Sequence, residues 1–189
     1  MFRPNAYGLF SMPTLETDRL ILRRMTMRDA ADVFLYSKDE EVARHVLWSA
    51  QKDISEAKEY LRYMARRYRN DEPSSWGIIE KKTGRLVGTI GYMAFSEENN
   101  SVEVGYSLAH WLWNGGYMTE ALSRVIEHTF DVMEINRIEA QHEITNPSSG
   151  RVMEKCGMRK EGVMRRADRN NQGIVDCCIH AILRDEWKK

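Results

Sequence analysis

Hydrophobic and polar positions along this chain switch between a period of two and a period near 3.6, and the switches divide it into elements. Residues 15–24 alternate as a strand, with Leu20 and Leu22 on one face. Thr26 then stands where a cap is needed for a helix opening at Met27. Asp29 falls in its first turn, and Ala30, Val33 and Phe34 form its apolar stripe. After a polar connection carrying Trp48, a second helix starts at Ser55. Ala57, Tyr60, Leu61, Met64 and Tyr68 recur there at helical spacing until Asp71-Glu72-Pro73 breaks the pattern. Residues 76–80 and 85–94 read as strands flanking the hairpin signal Lys82-Thr83-Gly84. Gly88 and Gly91 inside the second of these predict a bulge or a close approach.

A strand over residues 101–108 follows, then the turn Asn114-Gly115-Gly116, then the best-phased helix of the chain. Its stripe is Leu122, Val125, Ile126, Phe130 and Met133. Residues 136–144 return as a strand, and Asn146-Pro147 supplies an N-cap with proline at the first helical position. The helix over 148–156 stops at Gly157, a residue suited to the left-handed position after a helix. Residues 158–166 and 173–183 close the chain as two strands around an Arg-Asn-Asn-Gln-Gly turn. Residues 1–13 read as a loose leader. With no repeat, low-complexity tract or linker, the expectation is one α+β domain over residues 1–189. Its sheet should be mostly antiparallel, with crossover helices after the fourth and fifth strands.

Composition changes little in this picture but removes several classes. Hydrophobic residues make up 42% and charged residues 30%, and 28 basic side chains balance 28 acidic ones. No bulk charge points to nucleic acid or an anionic membrane, and the cluster Arg66, Arg67, Arg69 reads as a solvated helix face. No run reaches membrane-spanning length, and the first residues lack the apolar core and cleavage site of a signal peptide. Cys156, Cys177 and Cys178 form no CxxC pair. That set fits reduced thiols in a cytoplasmic protein and gives no metal site.

Two places carry candidate chemistry. At Asn114-Gly115-Gly116 the lack of side-chain bulk lets successive amides converge on an oxyanion at a helix N-terminus, with Thr119 able to add a hydroxyl. A tight strand–helix turn without ligand gives the same pattern. The turn is neither a Walker loop nor a GxGxxG fingerprint. Glu103, on the strand feeding this turn, is either a solvent-facing residue or a general base in a cleft, acting directly or through a water. Asn146 and Ser149, at the next helix start, are caps by default, and would hydrogen-bond an extended cofactor if that helix lined the same cleft.

The segments LETDRLILRRMTMRDAADV, GRLVGTIGY, VEVGYSLAHWLWNGGYMTEAL, INRIEAQHEITNPSSGRVMEKCGMRKEGVMR and VDCCIHAILRDEW, in this order, resemble the GCN5-related N-acetyltransferases (GNAT). The resemblance is to the branch of the ribosomal-protein N-terminal acetyltransferases, and it covers residues 15–187. It implies a mixed, mostly antiparallel seven-stranded sheet with flanking helices, splayed between the fourth and fifth strands. It also implies acetyl-CoA as co-substrate, with no metal. The pantetheine would pair with the backbone around Tyr106, Ser107 and Leu108 and meet Asn146. The pyrophosphate would sit on the stretch Trp113, Asn114, Gly115, Gly116, Tyr117, Met118 and Thr119. Trp113, Gly115 and Met118 depart from the family's commonest residues at those places. Glu103 is implied as base and Ser149 as acid. The implied reaction is direct acetyl transfer to a primary amine, foremost a protein N-terminal α-amine, by a monomer or homodimer. The alternatives are a small-amine acceptor (polyamine, amino acid or aminoglycoside) and a non-catalytic CoA-binding module.

Overall fold

The computed structural model describes residues 8–187. The alternating stretch at residues 15–24 folds back on itself, because Thr17 closes a turn in which its backbone N–H donates to Leu20 O and its hydroxyl oxygen accepts from Leu20 N, both at 3.0 Å. Strand β1 (Leu15–Glu16) therefore pairs antiparallel with β2 (Leu20–Arg23). Where the resemblance implies seven strands, this fold-back gives eight. Thr26 caps the next turn as expected, within a reciprocal capping box with Asp29, and α1 (Ala30–Ser37) follows.

Inside the polar connection lies a helical turn that the pattern did not predict, α2 (Glu40–Ala43), capped by the Asp39 carboxylate on Glu41 N at 2.9 Å. Four residues are too few to display a period. Then come α3 (Ile54–Arg69), β3 (Ser75–Glu80), β4 (Leu86–Ser96), β5 (Ser101–Leu108), α4 (Tyr117–Val132), β6 (Arg137–Glu143), α5 (Pro147–Lys155), β7 (Arg159–Asn170) and β8 (Gly173–Leu183).

The strands form one sheet in the order β1-β2-β3-β4-β5-β6-β8-β7. Neighbours are antiparallel except β5 and β6, which run parallel because α4 carries the chain across. The two faces are covered by different helices. Tyr92 of β4 bonds Thr129 of α4 at 2.7 Å, and Trp76 of β3 meets His128 edge-on. On the opposite face the Tyr36 hydroxyl of α1 bonds Thr89 and Ser107. Leu122, Val125, Ile126, Phe130 and Met133, the apolar stripe read from sequence, are all buried, the first three with no exposed surface. Burying each larger side chain of that set stabilises the fold by ~1.5–3 kcal/mol.

Of the leader expected at residues 1–13, residues 1–7 lie outside the described part. Residues 8–13 are not loose: Phe10 and Met12 are core residues, and the Asp71 carboxylate accepts from Leu9 N and Phe10 N. The last hairpin also exceeds the expected length. β7 runs to Asn170 through register shifts on either side of Met164, which disturb the alternation that marks a strand. Gly88 marks a close approach, since a Cβ there would stand 2.4 Å from Ser107 O on the adjacent strand.

Candidate active site

A cavity opens where β5 and β6 part. Their parallel pairing covers only Ser101–Arg137, Val102–Ile138 and Glu103–Glu139, so from Val104 onward each strand presents an unpaired edge to the other. A cavity of about 450 Å³ fills this gap. It runs from the segment after α1, past the free edge of β5, to the N-termini of α4 and α5. Tyr106, Ser107, Leu108, Trp113, Asn114 and Gly116 lie in its wall, as do Tyr117, Met118, Thr119, Asn146 and Ser149. Of the residues singled out in the sequence, Glu103 and Gly115 are outside that wall.

At the α4 end the turn is shaped for an anion by backbone alone. Gly116 is the N-cap at φ +77°, a conformation costly for residues with a Cβ. Its carbonyl accepts the first helical bond, from Glu120 N at 3.0 Å, and no partner is present for the amides of residues 116–119 among the described residues. The Gly115 carbonyl accepts from Arg19 Nη1 at 2.9 Å. Because a trans peptide points its C=O and the following N–H in opposite directions, the Gly116 N–H faces away from that arginine. Arg19 also stacks over Tyr117 at 4.1 Å and is held by Glu120 through Nε at 2.6 Å. Glu120, acidic and in the first turn, is thus drawn away from the amides. Trp113 anchors the turn by donating Nε1–H to Leu108 O at 2.8 Å. Met118 sends its side chain into the core, where 7% remains exposed.

Beside the β5 edge, the Tyr106 hydroxyl lies 2.9 Å from Ser149 Oγ and donates to Ser149 O at 3.0 Å. Burial pushes the Tyr106 phenol well above its ordinary value, so it stays protonated. Asn146 serves as the expected cap, its amide oxygen accepting from Ser149 N at 3.4 Å. Sequence reasoning gave Tyr106 a backbone role only; the hydroxyl contact joins two elements 43 residues apart and left no local mark.

Glu103 sits at the closed end of the gap, on the face covered by α1. Burial first, then the negative charges of Glu139 and Asp168, raise its pKa, against a hydrogen bond from Gln141. Gln141 lines the cavity, and Glu103 does not. Farther along the same face of β6 comes Glu143, only 7% exposed. It takes His45 Nδ1 at 2.8 Å, Asn170 Nδ2 at 2.6 Å and Thr145 Oγ1 at 3.0 Å. Burial alone would raise its pKa, but these three bonds outweigh it and hold the carboxyl below its usual range. Neither His45 nor Glu143 was singled out from sequence. The alternation Glu139-Gln141-Glu143 was a usable signal for the second; nothing local marks the first. Among the described residues no cluster of three or more His, Cys, Asp or Glu forms a metal site, and no helix is long and apolar enough to cross a membrane.

Comparison with known proteins gives this geometry its context. Residues 19–159 match the family model described as an acetyltransferase (GNAT) domain. The uncharacterized N-acetyltransferase YoaA of Bacillus subtilis is 33% identical over 172 residues, covering 91% of this chain and 97% of that protein. Among solved structures, a GNAT-family acetyltransferase from Bacillus anthracis superposes with a TM-score of 0.81 at 24% identity, over 92% of this chain and 99% of that one. The ribosomal L7/L12 α-N-protein acetyltransferase RimL, solved with coenzyme A, superposes with a TM-score of 0.80 at 18% identity, over 93% and 100%. At such identities the two structural likenesses are of fold.

Proposed function

The chain belongs to the acetyltransferase (GNAT) domain family, and from that membership we propose that it acetylates the α-amine at a protein N-terminus, taking the acetyl group from acetyl-CoA. The observation that carries the reading is the continuous path from the free β5 edge at Val104–Leu108 to the unpartnered amides of residues 116–119, with Tyr106–Ser149 alongside. A strand edge suits the amide-bearing pantetheine arm, and a helix N-terminus suits the pyrophosphate. The residues present therefore fit acetyl-CoA, which when bound supplies an activated thioester.

This chain's own groups would then move protons. The acceptor amine arrives as an ammonium, which cannot attack. Glu103, outside the cavity wall, takes its proton through a water, and its raised pKa brings the carboxylate nearer the working pH. As the amine nitrogen bonds to the acetyl carbon, the C–S bond breaks, and Ser149, bonded to the protonated Tyr106, gives a proton to the departing sulfur. Cys156 is outside this scheme. Its thiol is buried, its pKa is raised by burial, and it donates to Thr119 O at 3.4 Å, where no acetyl group need reach it. A relative named a ribosomal-protein-serine acetyltransferase, 27% identical over 55% of this chain, supports a peptide acceptor.

The deciding measurement is thiol release from acetyl-CoA with a panel of N-terminal peptides, polyamines, amino acids and aminoglycosides. Peptides are expected to give the highest kcat/KM. Faster turnover of a small amine would overturn the acceptor, and CoA binding without turnover of any acceptor would make the chain a binding module.

A further inference from the structure

The acceptor side of the cavity holds a hydrogen-bond acceptor fixed in place by a chain of side chains. The segment at residues 43–48 bridges from α2 to the tip of the β7–β8 hairpin and is latched there. Asn171 Nδ2 donates to Ala43 O at 2.8 Å and to Trp48 O at 2.9 Å, and Asn171 N donates to Val46 O at 3.1 Å. His45, in the middle of this strap, forms part of the cavity wall, with 23% of its side chain exposed. Its Nδ1 faces Glu143 Oε2 at 2.8 Å. Asn170 and Thr145 donate to the same carboxylate, so it is held as an anion whose partners are all donors. Nδ1 therefore donates its proton to Glu143, which leaves Nε2 as the ring atom facing away from the carboxylate and, in the neutral tautomer this contact selects, the one that carries the lone pair. Among the described residues nothing bonds Nε2.

We propose that His45 Nε2 accepts a hydrogen bond from the first peptide N–H of the acceptor, and so distinguishes a chain end from a simple amine. The proposal rests on the reading of the acceptor as a protein N-terminus. The reacting nitrogen must approach the closed end of the gap, beside Gln141 and Glu103. Glu143 is two residues farther along the same face of β6, roughly 7 Å at strand spacing. An amine and the first peptide nitrogen stand at most roughly 4 Å apart, so a hydrogen bond of roughly 3 Å to a ring held by Glu143 spans an offset of this order. A free amino acid has no N–H at that place. The strap is latched to the hairpin and the ring is held by Glu143, so little order is lost when the bond forms.

The test uses short N-terminal peptides and their analogues methylated on the nitrogen of the second residue. In the wild-type protein, N-methylation should lower kcat/KM about tenfold, the scale of one hydrogen bond to a fixed partner. In His45→Ala the unmethylated peptide should fall to the methylated level, with under about twofold difference between them, while CoA affinity stays at the wild-type value. Glu143→Gln should show a reduced methylation effect, because the ring is no longer held by a charge. Should His45→Ala fold poorly, the wild-type protein with CoA still answers. The ¹⁵N resonance of His45 Nε2 should move on addition of the peptide and not of its methylated analogue. A methylation effect of equal size in wild type and His45→Ala, an effect only at the next peptide nitrogen, or an unmoved resonance would each overturn the proposal. If wild type acetylates small amines and no peptide, the acceptor reading itself has failed, a result distinct from any of these.

Discussion

The two ends of the cavity are built from different materials. At the α4 end the contacts offered are backbone amides and a strand edge, contributed by one continuous stretch from Val104 to Thr119. At the strap end they are side chains from three segments far apart in the chain: His45, Glu143 with Thr145, and Asn170. A backbone site tolerates most side-chain changes, provided the turn keeps its conformation, so Trp113, Gly115 and Met118 can depart from the family's common residues while the amides stay in place. A side-chain site has no such tolerance. Each member needs its partners, and each exchange changes what the site accepts. The backbone half suits the co-substrate, and the side-chain half suits the acceptor.

The sharpest way to break this division is Glu103→Gln. It should lower kcat/KM by ~10²–10³ while leaving CoA affinity unchanged, as expected for loss of an acid–base group. The acidic limb of the pH–rate profile should disappear with it, and an unchanged profile would remove Glu103 from the reaction. Stability should move the other way. A carboxyl whose folded pKa is raised binds its proton more tightly in the folded state, so its charge is destabilising once pH exceeds the unfolded value, and fully so above the folded one. Glu103→Gln should therefore melt above the wild type near pH 7, and the gap should close as pH falls into the usual carboxylate range.

Gly116→Val probes the opposite end. Forcing a branched residue to φ +77° costs roughly 1–2 kcal/mol or more, so CoA affinity by calorimetry should weaken at least about tenfold. Peptide KM at saturating acetyl-CoA should hold, and a change in peptide KM of the same size would dissolve the distinction between the two ends. Tyr106→Phe removes the hydroxyl's contacts with both Ser149 O and Ser149 Oγ, and kcat should drop about fivefold, consistent with ~1 kcal/mol. Cys156→Ala should keep kcat within about twofold, because a buried thiol with a raised pKa is inert. Loss of turnover in that variant with CoA binding intact would restore a covalent cysteine route.

Most helices and strands could be read from the chain because each displays its period over enough residues. β5 and β8 begin and end where expected, and α4 carries the expected stripe. What escaped was short or interrupted. α2 has one turn, the β1–β2 fold-back depends on a single threonine, and the bulges in β7 disturb its alternation. The packing of residues 8–13 was missed because Phe10 and Met12 are too few to show a pattern, and only the core they enter gives them a place.

For the cavity the same division holds. Sequence alone determined the turn at Asn114-Gly115-Gly116, the helix that follows it and the strand that precedes it. Backbone conformation, and the amides it exposes, depend mainly on neighbours a few residues away. Tertiary structure alone decided that Glu103 lies outside the cavity wall, that Tyr106 meets Ser149, and that His45 is held by a carboxylate 98 residues distant. These are contacts between side chains of separate elements. Their geometry follows from how the sheet splays and which helix covers each face, quantities set by the packing of the whole core rather than by any local run of residues.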